Sequence, residues 1–315
     1  MTDLSSAWLL IAFVAPCLWA LVSVLDLYFI RDAYQDEWDG TLISGTFQIL
    51  PWILVPLGLI PFTTPPVNAV IHAFAAGFFF LAAFFFYFRS LFRHADAALI
   101  HVLWNMAVLV VPLLAWVWNR EQLQAVHYVG IALAFLGSTL LASRSGLLRD
   151  GVLQVAGTMA WAVLCLSASM ILQKDAFRIA NGRFVDVFLV FCTGVGAATV
   201  LLAAINPRET LARFRRMLGF KAKYISLFVF AECISLAGTL FSQRAIDLSP
   251  TPSFVIAIES TVPAFVMLHS IAIAFILTRL GRADASEMFR NQFQGWREKV
   301  VAMSIMAVAI FCIAA

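Results

Sequence analysis

Two carboxylates, Glu232 and Glu259, lie inside stretches that otherwise read as hydrocarbon. Glu259 is centred in TPSFVIAIESTVP (251–263), and Glu232 is equally deep in YISLFVFAECISLAG (224–238). An ionised carboxylate at mid-bilayer costs about 3 kcal/mol even on the mildest scale, so such groups face a cavity, a partner or a proton route. A carboxyl in such surroundings can hold a proton near neutral pH. Pro263 adds a second signal: it has no N–H, so a helix through this segment leaves the carbonyl of Glu259 without its usual donor. A free carbonyl, a carboxyl and the hydroxyls of Ser260 and Thr261 would then meet at one point. The chemistry this allows is binding and release of a proton or cation. Should the two carboxyls approach each other, they would titrate as a coupled pair.

Other polar and aromatic residues in apolar stretches are candidates to bind a substrate. Asn105 and His101 are four residues apart and share a helix face. His72 and Gln48 are also mid-segment, and Trp104, Trp161 and Trp19 could line an aromatic pocket. Each also has a structural reading, as a hydrogen bond between helices or as packing at a helix crossing. No nucleophile–base set, zinc-protease motif or P-loop occurs, which argues against an enzyme or an ATP-driven pump. The five cysteines all fall in apolar stretches without metal-ligand spacing, so no cofactor is expected.

The elements that must carry these residues are membrane helices. Hydrophobic residues make up 62% of the 315-residue chain, charged ones 12%, and the mean hydropathy is +0.91. A soluble domain carries about 25% charged residues. About 20 apolar residues span a bilayer. On that measure the sequence predicts an all-α membrane protein with ten transmembrane helices, near 7–30, 41–61, 67–88, 95–118, 125–142, 151–173, 184–205, 224–241, 251–277 and 300–314. No basic stripe interleaved with aromatics is present, so no nucleic-acid partner is expected.

Sixteen of the 21 Lys and Arg residues fall in the odd-numbered connections. Basic connections stay in the cytoplasm, so both termini are expected outside it. The N-terminus lacks a basic region ahead of its apolar run, so the first segment reads as a membrane helix and not a cleaved signal. The lack of N-x-S/T acceptors favours a bacterial inner membrane. Two basic connections, around 210–218 and 285–296, have the spacing of amphipathic helices that could lie on an anionic leaflet.

The chain also reads as two copies of one unit, residues 1–146 and 147–315, with no soluble domain. PCLWALVS (16–23) matches TMAWAVLC (158–165), each with a Trp-Ala pair. Residues 88–108 parallel 242–262 at a shift of 154, which sets Asn105 against Glu259. HYVGIALAFLG (127–137) resembles KVVAMSIMAVA (299–309), with small residues two turns apart in both. Five helices per copy would insert the second copy upside down, which gives two inverted five-helix repeats and a site near the midplane.

With these features the chain resembles the drug/metabolite transporter superfamily, EamA-type. LWNMAVLVVP (103–112), Arg120-Glu121 and the Gly130 to Gly137 helix carry most of the likeness, which spans nearly the whole chain. The long connection before the last helix and the missing Glu-bearing turn in the second half depart from the pattern. The family usually keeps both termini in the cytoplasm, contrary to the charge count. The resemblance implies export or exchange of a small metabolite or drug-like molecule without ATP. The expected function is therefore a secondary active, proton-coupled transporter working by alternating access. Its expected partners are a small-molecule substrate, a proton or other cation and membrane lipids, in a monomer or homodimer. The alternative is a flippase or carrier for a lipid or lipid-linked substrate, with the Phe-rich 78–88 face meeting acyl tails.

Overall fold

The computed structural model describes residues 7–32, 34, 36–93, 97–142, 152–218, 222–279 and 296–314. Among these residues every long element is a helix and no strand occurs. The helices are α1 (Ala7–Asp32), α2 (Glu37–Phe47), α3 (Val67–Arg93), α4 (Ala97–Trp104), α5 (Ala107–Asn119), α6 (Ala125–Ala142) and α7 (Val152–Ala180). They continue with α8 (Phe184–Ile205), α9 (Pro207–Leu218), α10 (Ala222–Leu248), α11 (Pro252–Glu259), α12 (Val262–Arg279) and α13 (Trp296–Ala314).

Seven stretches are helical, long and apolar enough to cross a membrane: 7–25, 67–92, 102–119, 155–180, 184–205, 225–248 and 252–276. They define an integral multi-pass membrane protein. Three expected spans look different. The stretch 41–61 breaks after α2, because Pro51 starts a short 3-10 turn (Leu50–Leu54) and the chain then turns through Pro56 and Gly58. Gly58 has a positive φ of 69°, a conformation that costs a residue without Cβ little. The stretch 125–142 is a shorter apolar helix, α6. The last, α13, begins with Arg297, Glu298 and Lys299 inside its first turn.

Two of the expected spans are each divided into two helices. The fourth divides at Asn105-Met106 into α4 and α5, and the ninth at Ser260-Thr261 into α11 and α12. At the second break, Thr261 N–H reaches Ile258 O at 2.9 Å and Ala264 N–H reaches Thr261 O at 2.9 Å, tighter turns than an α-helix makes. Pro263 sits in the first turn of α12, where its missing N–H costs least.

Helices pack in a reciprocal pattern. α1 lies along α10, α3 along α7, and α6 along α13, while α5 meets α11. α3 also packs against α8 through two glycines: Gly77 lies against the carbonyl of Phe191, and Gly194 against the carbonyl of Phe74. A Cβ at either would collide with the facing backbone, so the close approach needs both. On α3, Ala69, Ala73 and Ala76 are fully buried at helical spacing and continue the same tight face.

Candidate functional site

The helix α10 carries the polar groups at a spacing that puts them on one side. Glu232, Ser235, Thr239 and Ser242 recur every three or four residues, with Gln243 next to Ser242. Glu232, buried at 6% exposure, accepts a hydrogen bond of 3.0 Å from the Ser44 hydroxyl of α2. Ser235 offers its carbonyl to the Trp19 indole N–H at 3.4 Å. Thr239 donates to the Ser235 carbonyl at 3.1 Å and accepts from the Gln48 amide at 3.4 Å. Ser242 donates to Glu259 at 2.5 Å.

Glu259 ends α11 at the helix break and is 8% exposed. With Ser242 and Gln243 it lines a crevice whose other walls are Trp19, Phe80, Leu166, Met170, Gln173, Thr239 and Ile246. The crevice thus sits where α1 and α3 meet α7, α10 and α11. Its cavity volume is about 20 Å³. About 10–15 Å³ of such volume holds one water. The conformation therefore admits water or a small ion at Glu259 and is too closed for a drug-sized molecule.

The candidates from the sequence separate in space. Glu259 and Trp19 line the crevice, and Gln48 joins it through Thr239. Glu232 is ten residues before Ser242, about 15 Å along the helix. The two carboxyls therefore bind different hydroxyls, and the close approach that would have coupled them is not made. Asn105 is buried at the break between α4 and α5, outside the crevice lining. Trp104 packs edge-on against Phe84 and Tyr87. Trp161 faces outward at 59% exposure and stacks on Phe86, so it lines nothing. His72 contacts the carbonyl of Asn68 in its own helix at 2.6 Å. The His101 side chain lies outside the described residues. Ser242, Gln243, Gln173, Thr239 and Phe80 were missed, because single polar or aromatic residues near span ends look ordinary. The three-four spacing along α10 was the signal that could have found them.

Charged networks lie where α10 begins and where it ends. Where α10 begins, Arg213 of α9 binds Asp36 at 2.5 and 2.7 Å and Asp39 at 2.8 Å, and also pairs with Glu209. Arg216 adds a 3.0 Å contact to Asp39. Asp36 also caps α2, accepting from the N–H groups of Trp38 and Asp39. Burial works to raise the Asp36 pKa, but the Arg213 hydrogen bonds and charge and the two backbone N–H groups outweigh it and hold the carboxyl below its ordinary value. The expected amphipathic helix is thus formed as α9, with two of its arginines turned onto α2. The second expected one, at 285–296, lies almost wholly outside the described residues.

Where α10 ends, Lys174 of α7 donates to the carbonyls of Ile246, Asp247 and Ser249 at 3.0, 3.2 and 2.5 Å. These are carbonyls that a helix C-terminus leaves free, and a cation is favoured there. Nearby, burial raises the pKa of Glu121 although a Thr251 hydrogen bond and the charges of Lys174 and Arg178 oppose it. Arg183 and Thr63 both bind Asp186, which ties the loop before α3 to the start of α8.

No protein-family profile matches this chain, and no curated protein matches it in sequence. Its fold is shared with solved structures: one crystal structure superposes with a TM-score of 0.67 over 98% of each chain, at 16% identity. That likeness concerns the fold alone.

Proposed function

We propose that this protein is a secondary active transporter that couples the movement of a small molecule to a proton at Glu259. The observation that carries this is a buried carboxyl placed at a helix break and lining a largely apolar crevice between the front and back halves of the chain. A broken helix at membrane depth is tolerated where a cavity or protein groups serve the freed backbone. Paired inverted repeats place substrate sites at such breaks.

Ten spans in two inverted five-helix repeats, of the EamA-type drug/metabolite transporter pattern, agree with the packing. If the first helix corresponds to the sixth and the third to the eighth, then the α1–α10 contact maps onto α7–α3. Both contacts are present, and the equivalent fifth and tenth helices, α6 and α13, pack on each other. The Arg213 and Lys174 networks would then be gates at the two ends of the crevice. The charge bias puts α9 on the cytoplasmic side of a bacterial inner membrane and both termini outside.

The lipid-carrier reading receives less support. In the Phe-rich stretch, Phe78 and Phe79 face outward, but Phe80 and Phe88 are buried against protein. The test is proton movement in sealed vesicles containing the purified protein under an imposed pH gradient, with candidate substrates supplied. Substrate-linked acidification is expected in the wild type and should vanish in Glu259→Gln. Unaltered coupling in a correctly inserted Glu259→Gln protein would remove Glu259 from the mechanism.

A further inference from the structure

The hydroxyl and amide groups around the crevice leave an unequal account of donors and acceptors. The Ser242 hydroxyl gives its hydrogen to Glu259 and the Thr239 hydroxyl gives its own to the Ser235 carbonyl, so neither has a proton left for a ligand. Ser169 donates to the carbonyl of Ala76 at 2.8 Å and can only accept from the Gln173 amide, at 2.8 Å. That fixes the Gln173 amide with its NH₂ towards Ser169, and leaves its oxygen buried without a donor. By the same logic Gln48 gives its NH₂ to Thr239 and keeps an oxygen to spare. Gln243 is 1% exposed, and neither its oxygen nor its nitrogen has a hydrogen-bond partner among the described residues.

A buried amide with nothing to bind is costly and rare. Here one lies beside a second spare amide oxygen and a carboxyl, all lining one crevice. The surplus is of acceptor oxygens. No Lys, Arg or His lines the crevice, and Lys174, the residue next to Gln173, is committed to three carbonyls of the α10 end. An anion would find no positive group. A divalent ion would meet a single carboxylate and stay under-neutralised in an apolar shell of Phe80, Leu166, Met170 and Ile246.

We propose, building on the transport reading of the same crevice, that it binds a small monovalent cation: the ammonium end of a primary amine, or an alkali ion. Glu259 balances the charge. The oxygens of Gln173 and Gln243 accept its N–H groups or coordinate it directly. Trp19 and Phe80 supply part of the remaining wall, and an aromatic wall favours a cation where it presents its ring faces.

The experiment uses the full-length protein in lipid nanodiscs at pH 8. Its thermal midpoint is followed with propylammonium chloride, sodium chloride or tetramethylammonium chloride at equal ionic strength. A ligand that binds only the folded protein raises the midpoint with concentration. A rise of a few degrees is expected with propylammonium or with sodium, and whichever acts identifies the source of the cation. Tetramethylammonium, with the charge but no N–H and too bulky for close coordination, should have no effect. Gln243→Met should abolish the response while leaving the ligand-free midpoint unchanged or higher, since the spare amide is gone. Indifference to both small cations, an equal effect of tetramethylammonium, or an undiminished response in Gln243→Met would each overturn the site. Proton-linked flux measured on the same preparations separates the two ideas. Flux lost in Glu259→Gln without any cation response leaves transport standing and the cation site rejected. A cation response without flux does the reverse.

Discussion

Asn105 and Glu259, 154 residues apart, each stand at the junction of a broken helix. α4 stops at Trp104 and α5 starts at Ala107, while α11 stops at Glu259 and α12 starts at Val262. The two breaks coincide to within one residue under the shift. α5 and α11 also touch, so the breaks belong to helices in contact. The two junctions differ in charge: an amide stands at one and a carboxyl at the other. One carboxyl per site means one proton per cycle if both halves move around it.

Asn105 is buried, and its NH₂ has no partner among the described residues. Asn105→Ala is therefore expected to cost little stability, about 1 kcal/mol or less, and to lower transport several-fold if the break is a working part. Thermal unfolding and vesicle flux on the same preparation check this. A loss of several kcal/mol with normal flux in the surviving protein would make Asn105 a purely structural residue.

The α3–α8 contact gives a cleaner stability test. Gly77→Ala drives a Cβ into the carbonyl of Phe191, and overpacking of this kind costs about 1–3 kcal/mol. Gly157 is the control. It lies within α7, with nothing within 4 Å of a built Cβ. Gly157→Ala should gain about 0.5–1 kcal/mol from helix propensity. Opposite shifts of the two thermal midpoints are expected; a loss at Gly157 matching that at Gly77 would deny the close approach its special role.

The network of Arg213 predicts a pH dependence. Breaking a buried ion pair by removing one partner costs about 3–5 kcal/mol. Arg216 still reaches Asp39, so Arg213→Ala is expected near the low end, about 3 kcal/mol. For Asp36 the folded carboxyl is held below its unfolded value of 3.8. Its contribution is complete above that value and disappears as the pH falls through the lower folded one. The midpoint difference between wild type and Asp36→Asn should be constant from pH 7 to about 5 and shrink below about pH 4. A difference that instead grows on acidification would contradict the depressed pKa.

What the sequence made legible follows from range. Pro263 acts on its own helix four residues away, so the break at Glu259 and its exposed chemistry could be read from the chain. The apolar runs gave the membrane class for the same reason. Whether Glu232 approaches Glu259 could not be read, because it depends on where α11 meets α10, and the meeting point is Ser242, three turns from Glu232. Trp19 and Trp161 align in sequence, yet one lines the crevice and the other faces out. A sequence match does not fix the rotation of a helix about its own axis, which decides which residues face inward. Gln243 stayed hidden because nothing local distinguishes a buried amide from one at a span end. The break in the second span was missed because hydropathy does not register Pro51 and Pro56 as helix breakers.

Lys174 supplies the last test, of the gate where α10 ends. Its ammonium holds three carbonyls, of Ile246, Asp247 and Ser249, and Ile246 also lines the crevice. Lys174 therefore ties α7 to the end of α10 one residue beyond Gln173, another lining residue. Opening the crevice towards this end requires that link to break. Lys174→Met keeps the length of the side chain and removes the donors, so the carbonyls must turn to water and the closed state loses its clasp. The expected result is a shift towards an arrangement open at this end. Ile246→Cys, introduced into a background without the native cysteines, reports it by reaction with a membrane-impermeant maleimide added outside, the side that the charge bias assigns to this end. Labelling of Ile246→Cys should be slow when Lys174 is present and at least several-fold faster with Lys174→Met. The thermal midpoint should drop only modestly, since each neutral or charged hydrogen bond lost is worth about 1–3 kcal/mol and water replaces part of it. Equal labelling rates with and without Lys174 would make the residue a helix cap and leave the gate elsewhere.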